Sequence, residues 1–91
     1  MNESQKALRD LILDVIENQI RDNDPPDTRV TLNRLIDEGF SQEEAMVLIG
    51  RVLAFQVYEI LNNGTAFDRK RYARELAALP EMNAQEQAQN Q

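Results

Sequence analysis

The sequence predicts an all-α fold: a small four-helix bundle, orthogonal or irregular, built around a central apolar helix at about 42–62 and followed by a disordered polar tail at 81–91. Three observations carry that expectation. Apolar residues recur at the i, i+3, i+4 spacing of one helical face. Two glycine corners, "GFS" at 39–41 and "NGTAFD" at 63–68, each read as a helix stop followed by a helix start. The stretch "MVLIGRVLAFQVYEIL" at 46–61 is apolar almost all round, the pattern of a helix surrounded by others.

The first helix is expected over 5–21, with Leu8, Leu11, Ile12, Val15 and Ile16 on its apolar stripe. Leu13 and Ile20 lie beyond the edge of that stripe, so the apolar arc is broad. "DNDPPDTRV" then starts a shorter helix that runs to about Glu38. Asp24 is a good N-cap with Pro25 in the first helical position, and Asp27 or Thr28 is the alternative cap because Pro26 disfavours helical dihedrals at Pro25. At the next corner Gly39 can take the left-handed conformation, Phe40 can staple onto Ala45, and Ser41 with Glu44 has the spacing of a capping box.

On the central helix Ala45, Leu48, Ile49, Val52, Leu53 and Ile60 share one face, and Val47, Ala54, Tyr58 and Leu61 lie nearly opposite. Gly50, in the middle, suggests close approach of a neighbouring backbone. Gln56 sits within the main apolar face, where a lone amide needs a partner. That partner is either a backbone carbonyl of the same chain or the symmetry mate across a twofold axis. In the last helix Asp68 caps, Phe67 can staple to Tyr72, the residues Tyr72, Ala73, Leu76 and Leu79 face inward, and Pro80 ends the helix.

At 91 residues, 42% hydrophobic and 29% charged, the chain fits one globular domain, expected at 1–80. A net charge of −6 argues against nonspecific attraction to nucleic acid or anionic membrane. The apolar stretch is short for a bilayer and contains Arg51, Gln56 and Glu59, so a membrane span is rejected. The polar N-terminus shows no secretory signal. The absence of cysteine excludes disulfides and thiolate chemistry and accords with a cytoplasmic location. Histidine is absent too, which removes the commonest general base and metal ligand.

Few side chains remain for catalysis. "DNDPPD" opens like a calcium loop, but its sixth position is Asp27 rather than glycine and its twelfth is Asn33 rather than glutamate. Asp37, Glu38, Glu43 and Glu44 cluster at the "GFS" corner, where capping and solvation explain them more simply than a weakly held ion. Ser4 and Ser41 have no activating base. The expectation is no enzyme, no cofactor and no metal.

"RKRYAR" at 69–74 is the one basic cluster, with Lys70, Arg71 and Arg74 outward and Tyr72 inward. Cations in the first turn oppose the helix dipole. Eleven of the sixteen acids fall within 1–45, so Lys70 or Arg71 is expected near a carboxylate of the first helix or the "GFS" corner. A helix-turn-helix reading of 31–51 is poor, since its recognition helix would begin with Glu43 and Glu44.

"LIDEGFSQEEAMVLI" resembles the corner of ubiquitin-associated-type three-helix domains, in which a leucine-rich helix, a Gly-Phe turn and an Ala-containing helix form a hairpin. The resemblance covers fifteen residues and implies protein binding at that corner. Over 24–79 the chain resembles small bacterial proteins of a domain-of-unknown-function group, through a proline at 25 or 26, Leu32, Leu35, Ala45, Gly64, Asp68, Tyr72, Leu76 and Leu79. That resemblance implies a helical fold and no activity, and the group's frequent histidines are missing here.

Two functions follow as expectations. The first is a helical protein–protein interaction module, self-associating as a homodimer through Leu13, Ile20, Val47, Gln56 and Tyr58. The alternative is a nucleic-acid-associated accessory protein using 69–74.

Overall fold

The structure, a computed structural model, describes residues 3–80. Four helices follow one another: α1 (Glu3–Asp22), α2 (Pro26–Asp37), α3 (Gln42–Asn63) and α4 (Arg69–Ala78). No strand occurs among the described residues. The expected tail at 81–91 lies outside them.

Each helix end has a local cause. α1 closes with Asn23 in the left-handed region (φ 52°), its N–H donating to Ile20 O at 3.3 Å while Asp24 N donates to Gln19 O at 3.0 Å. This two-bond pattern is a Schellman motif. α2 closes the same way at Gly39 (φ 108°), with Gly39 N on Ile36 O and Phe40 N on Leu35 O. Gly64 (φ 68°) ends α3 with a single bond to Ile60 O. The capping box forms as expected: Glu44 N donates to Ser41 Oγ at 3.0 Å, and Ser41 N donates to Glu44 Oε1 at 2.8 Å. Asp68 Oδ1 caps α4 by accepting from Arg71 N, and the Phe67 ring meets Tyr72 edge-on at 5.2 Å. The start of α2 differs from expectation. Pro25 occupies the cap position and Pro26 begins the helix, since Pro26 keeps Pro25 extended. Asp24 instead pairs with Arg69 at 2.6 Å.

One core draws on all four helices: Ile12 and Ile16, Leu32 and Leu35, five residues of α3 from Ala45 to Leu53, then Tyr72, Leu76 and Leu79. α3 touches the other three helices, and so does α2; α1 and α4 make no close backbone approach. The inner residues of α2 are partly polar, with Thr28 and Thr31 both buried. Thr28 Oγ1 donates to Gln19 Oε1 at 2.7 Å, and Tyr72 Oη donates to the same oxygen at 2.9 Å. One amide oxygen thereby joins α1, α2 and α4. Both hydroxyl protons are committed to it, so the 3.4 Å approach of the two hydroxyls follows from their convergence.

α2 also serves both its neighbours' ends. Arg29 Nη2 donates to Ile20 O at the end of α1. Arg34 donates to Leu79 O at 2.9 Å and Leu76 O at 3.0 Å at the end of α4, and to Glu38 on its own helix. A cation at a helix C-terminus satisfies orphan carbonyls and complements the dipole. α4 has no basic residue in its own last turn, so α2 provides one. The other end of α4 is held by Gln56: its Nε2 donates to Asp68 O and its Oε1 accepts from Asp68 N, both at 2.9 Å. A ten-residue helix, too short to persist alone, is thus fixed at both ends by side chains from α2 and α3.

Two expectations about packing are corrected. Leu8 and Leu11 are 43% and 55% exposed, because only Ile12 and Ile16 of the α1 stripe, with Val15 partly, reach the core. Gly50 admits no neighbouring backbone: a Cβ built there would meet Ile12 Cγ2 at 3.6 Å and Ile16 Cδ1 at 3.7 Å, ordinary contact with side chains.

These contacts set three expected outcomes. Ser41→Ala should lower stability by about 1 kcal/mol in chemical denaturation, as loss of a cap does. Gly50→Ala should raise it by about 0.5 to 1 kcal/mol, since the methyl fits and alanine favours the helix. Burial pushes the Tyr72 hydroxyl above its ordinary value of 10.0. The unfolded chain then releases this proton at lower pH than the folded one, so stability should be intact below about pH 10 and decline above it. Tyr72→Phe should flatten that alkaline decline while lowering stability at neutral pH.

A candidate interaction face on α3

The inner face of α3 is filled, and Gln56 belongs to it, 3% exposed with its amide taken up by Asp68. Of the two partners open to that amide in the sequence, the structure supplies the one within the chain. Gln56 therefore does not present itself to a second copy. Leu13 and Ile20 are half-buried, and Ile20 packs on the core.

The outer face of α3 is different. Val47, Phe55, Tyr58 and Leu61 are 49%, 59%, 67% and 76% exposed, and Leu61 is the most exposed of the large apolar side chains described. Positions 47, 51, 54, 55, 58 and 61 follow the helical repeat, so Arg51 and the half-buried Ala54 complete one continuous stripe with these four. The side of this helix opposite the core, where Val47 and Tyr58 were expected to meet a partner, is open along this line. Its edge adjoins α1 through Gly50, which lies beside Ile12 and Ile16. The exposed Leu8 and Leu11 stand on the same helix as those isoleucines.

At its N-terminal end the stripe runs into a hollow of about 370 Å³, lined by Phe40, Ser41, Glu43, Glu44, Val47, Leu48 and Arg51. Its floor is apolar and its rim acidic. The hollow is opened by the Gly39 turn, which lifts Phe40 beside the first turns of α3. Arg51 has no carboxylate within ion-pairing distance among the described residues. Phe55 was absent from the sequence-based face because it lies at the stripe's margin on an ideal wheel.

The basic first turns of α4 are largely occupied. Arg71 pairs with Glu59 of α3 and with Glu75 four residues on, while Arg69 pairs with Asp24. The expected carboxylate partner from the first helix or the "GFS" corner is thus replaced, for Arg71, by one from α3, which runs alongside α4. Hydrogen bonds donated to Glu75 and Glu59 hold the Arg71 guanidinium further in its charged form. Lys70 and Arg74 remain exposed and, among the described residues, unpaired.

The corner carboxylates are likewise engaged: Glu44 in the capping box and Glu38 with Arg34 at 2.9 Å, with Asp37 and Glu43 exposed. Among the described residues no three potential ligands converge on a metal position, and no helix is long and apolar enough to cross a membrane. Compared with known protein families, curated proteins and solved structures, the chain matches none.

Proposed function

We propose that this protein is a helical protein–protein interaction module whose working surface is the outer face of α3. One observation carries the reading. Polar groups inside the fold are paired almost throughout, with Glu75 Oε1 the single buried side-chain atom among the described residues without a partner. Yet Phe55, Tyr58 and Leu61 stay more than half exposed on one side of the most apolar helix. Contiguous exposed apolar surface is a mark of interaction sites, and aromatic side chains and arginine are enriched at protein–protein contacts.

Two further observations support a binding role over catalysis. The chain has neither histidine nor cysteine, and its serines lack an activating base. A cysteine-free module also suits the reducing cytoplasm, where it would work. The nucleic-acid alternative would rest on Lys70 and Arg74, because Arg69 and Arg71 already face carboxylates. Two cations on a chain of net charge −6 offer little counterion release.

A photo-cross-linking residue in place of Tyr58, introduced in the source cell, tests the reading. A protein adduct is expected, whether to another protein or to the same chain, and Leu61→Asp should abolish it. No adduct, or one indifferent to Leu61→Asp, would contradict the assignment of this face.

A further inference from the structure

Resting on that reading, we infer that the occupant of the α3 face is a second copy of this chain, docked antiparallel about a twofold axis between Ala54 and Phe55. The stripe is self-complementary in that register. Reversing the helix about this point brings Arg51 level with Tyr58 of the second copy and Ala54 level with its Phe55. Each copy contributes the same contacts, as an isologous interface requires. Arg51, which lacks a carboxylate partner among the described residues, then lies over an exposed tyrosine ring, a favourable cation–π placement.

The hollow supplies the second argument. Leu61, 76% exposed, stands seven residues from Ala54 on one side, and Val47 stands seven residues from it on the other. At 1.5 Å per residue each lies about 10 Å along the helix from the axis, so the second copy's Leu61 arrives at the level of Val47, at the edge of the hollow. Its volume of about 370 Å³ is ample for a leucine side chain with the flank of the following turn. Antiparallel docking also sets the two helix dipoles in opposite directions, the favourable side-by-side arrangement.

The area available matches what a stable dimer needs. Phe55 and Tyr58 are 59% and 67% exposed, so at about 150 to 250 Å² per aromatic side chain they offer roughly 250 Å². Val47 and Leu61, 49% and 76% exposed, add a comparable amount, bringing the apolar total to on the order of 500 Å² per copy. With apolar atoms making up about 56 to 65% of an interface, the whole contact is roughly 800 Å² per copy, the standard size for a specific complex.

The absence of native cysteine makes the register directly measurable. Helices 8 to 9 Å apart place the two copies of position 54 at a Cα separation of about 5 to 6 Å, within disulfide range. The experiment combines light scattering of the full chain at 5 to 200 micromolar, on the order of a typical homodimer's working range, with mild oxidation of an Ala54→Cys chain and of an Arg74→Cys chain as control. Expected results are a dimer, near-complete disulfide dimer for Ala54→Cys, little for Arg74→Cys, a clear weakening of association by Leu61→Asp, and a weakening of at least about 100-fold by Tyr58→Glu, as for an aromatic near the interface centre. Circular dichroism of the last two establishes that they remain folded. A monomer at every concentration would overturn the inference, as would a dimer in which Ala54→Cys stays reduced and Leu61→Asp changes nothing. The broader reading fails separately: a monomer whose position 58 still cross-links to a different protein keeps the interaction module and loses only self-pairing, and a chain with no adduct loses both.

Discussion

α1 and α4 make no close backbone approach, and beside the contact both make with α3 it is the polar side chains of α2 that tie the two together. Thr28 places a hydroxyl against Gln19 of α1 at the point where Tyr72 of α4 also arrives, and both protons go to the one amide oxygen. Arg29 holds the Ile20 carbonyl near the end of α1, and Arg34 holds the Leu76 and Leu79 carbonyls at the end of α4. Buried hydroxyls left without that acceptor would each cost about 1 to 3 kcal/mol. The polar cluster therefore fixes relative placement, while Leu32 and Leu35 of the same helix contribute the apolar contact. Specificity of arrangement and burial come from adjacent turns of one twelve-residue element.

α3 divides its surface between two tasks. Its inner side, from Ala45 to Gln56, closes the core and anchors the start of α4 through the paired Gln56 and Asp68 groups. Its outer side touches little within the chain, and the side chains there are large and apolar. The two tasks are physically separable, because the inner side chains are at most 9% exposed while Phe55, Tyr58 and Leu61 lie at 59% or above. Substitutions on the outer side are therefore expected to have little effect on packing.

The helix boundaries on either side of α3 were legible in the sequence because they have local chemistry. Gly39, Ser41 and Glu44, then Gly64, Phe67 and Asp68, each act through neighbours within a few residues, and all take the roles their spacing implies. The inward face of α3 was legible from periodicity. The central place of α2 was not: its buried Thr28 and Thr31 look like surface residues, and Arg29 and Arg34 gain meaning only from helix ends brought to them by the fold. Leu8 and Leu11 mislead for a related reason, since a wheel gives direction but not whether a neighbour extends that far. For the candidate face, Val47 and Tyr58 were visible as the side opposite the core. Gln56 was not resolvable, because either pairing satisfied the same amide.

Equilibrium urea denaturation of a chain carrying Phe55→Ser, Tyr58→Ser and Leu61→Ser together tests the separation of fold from recognition most directly. At dilutions where both chains are monomeric, the account predicts unfolding free energies that agree to within about 0.5 kcal/mol per site, as for exposed positions. A loss of several kcal/mol, of the size seen when buried leucines or aromatics are truncated, would show that the outer side of α3 belongs to the core and contradict the account.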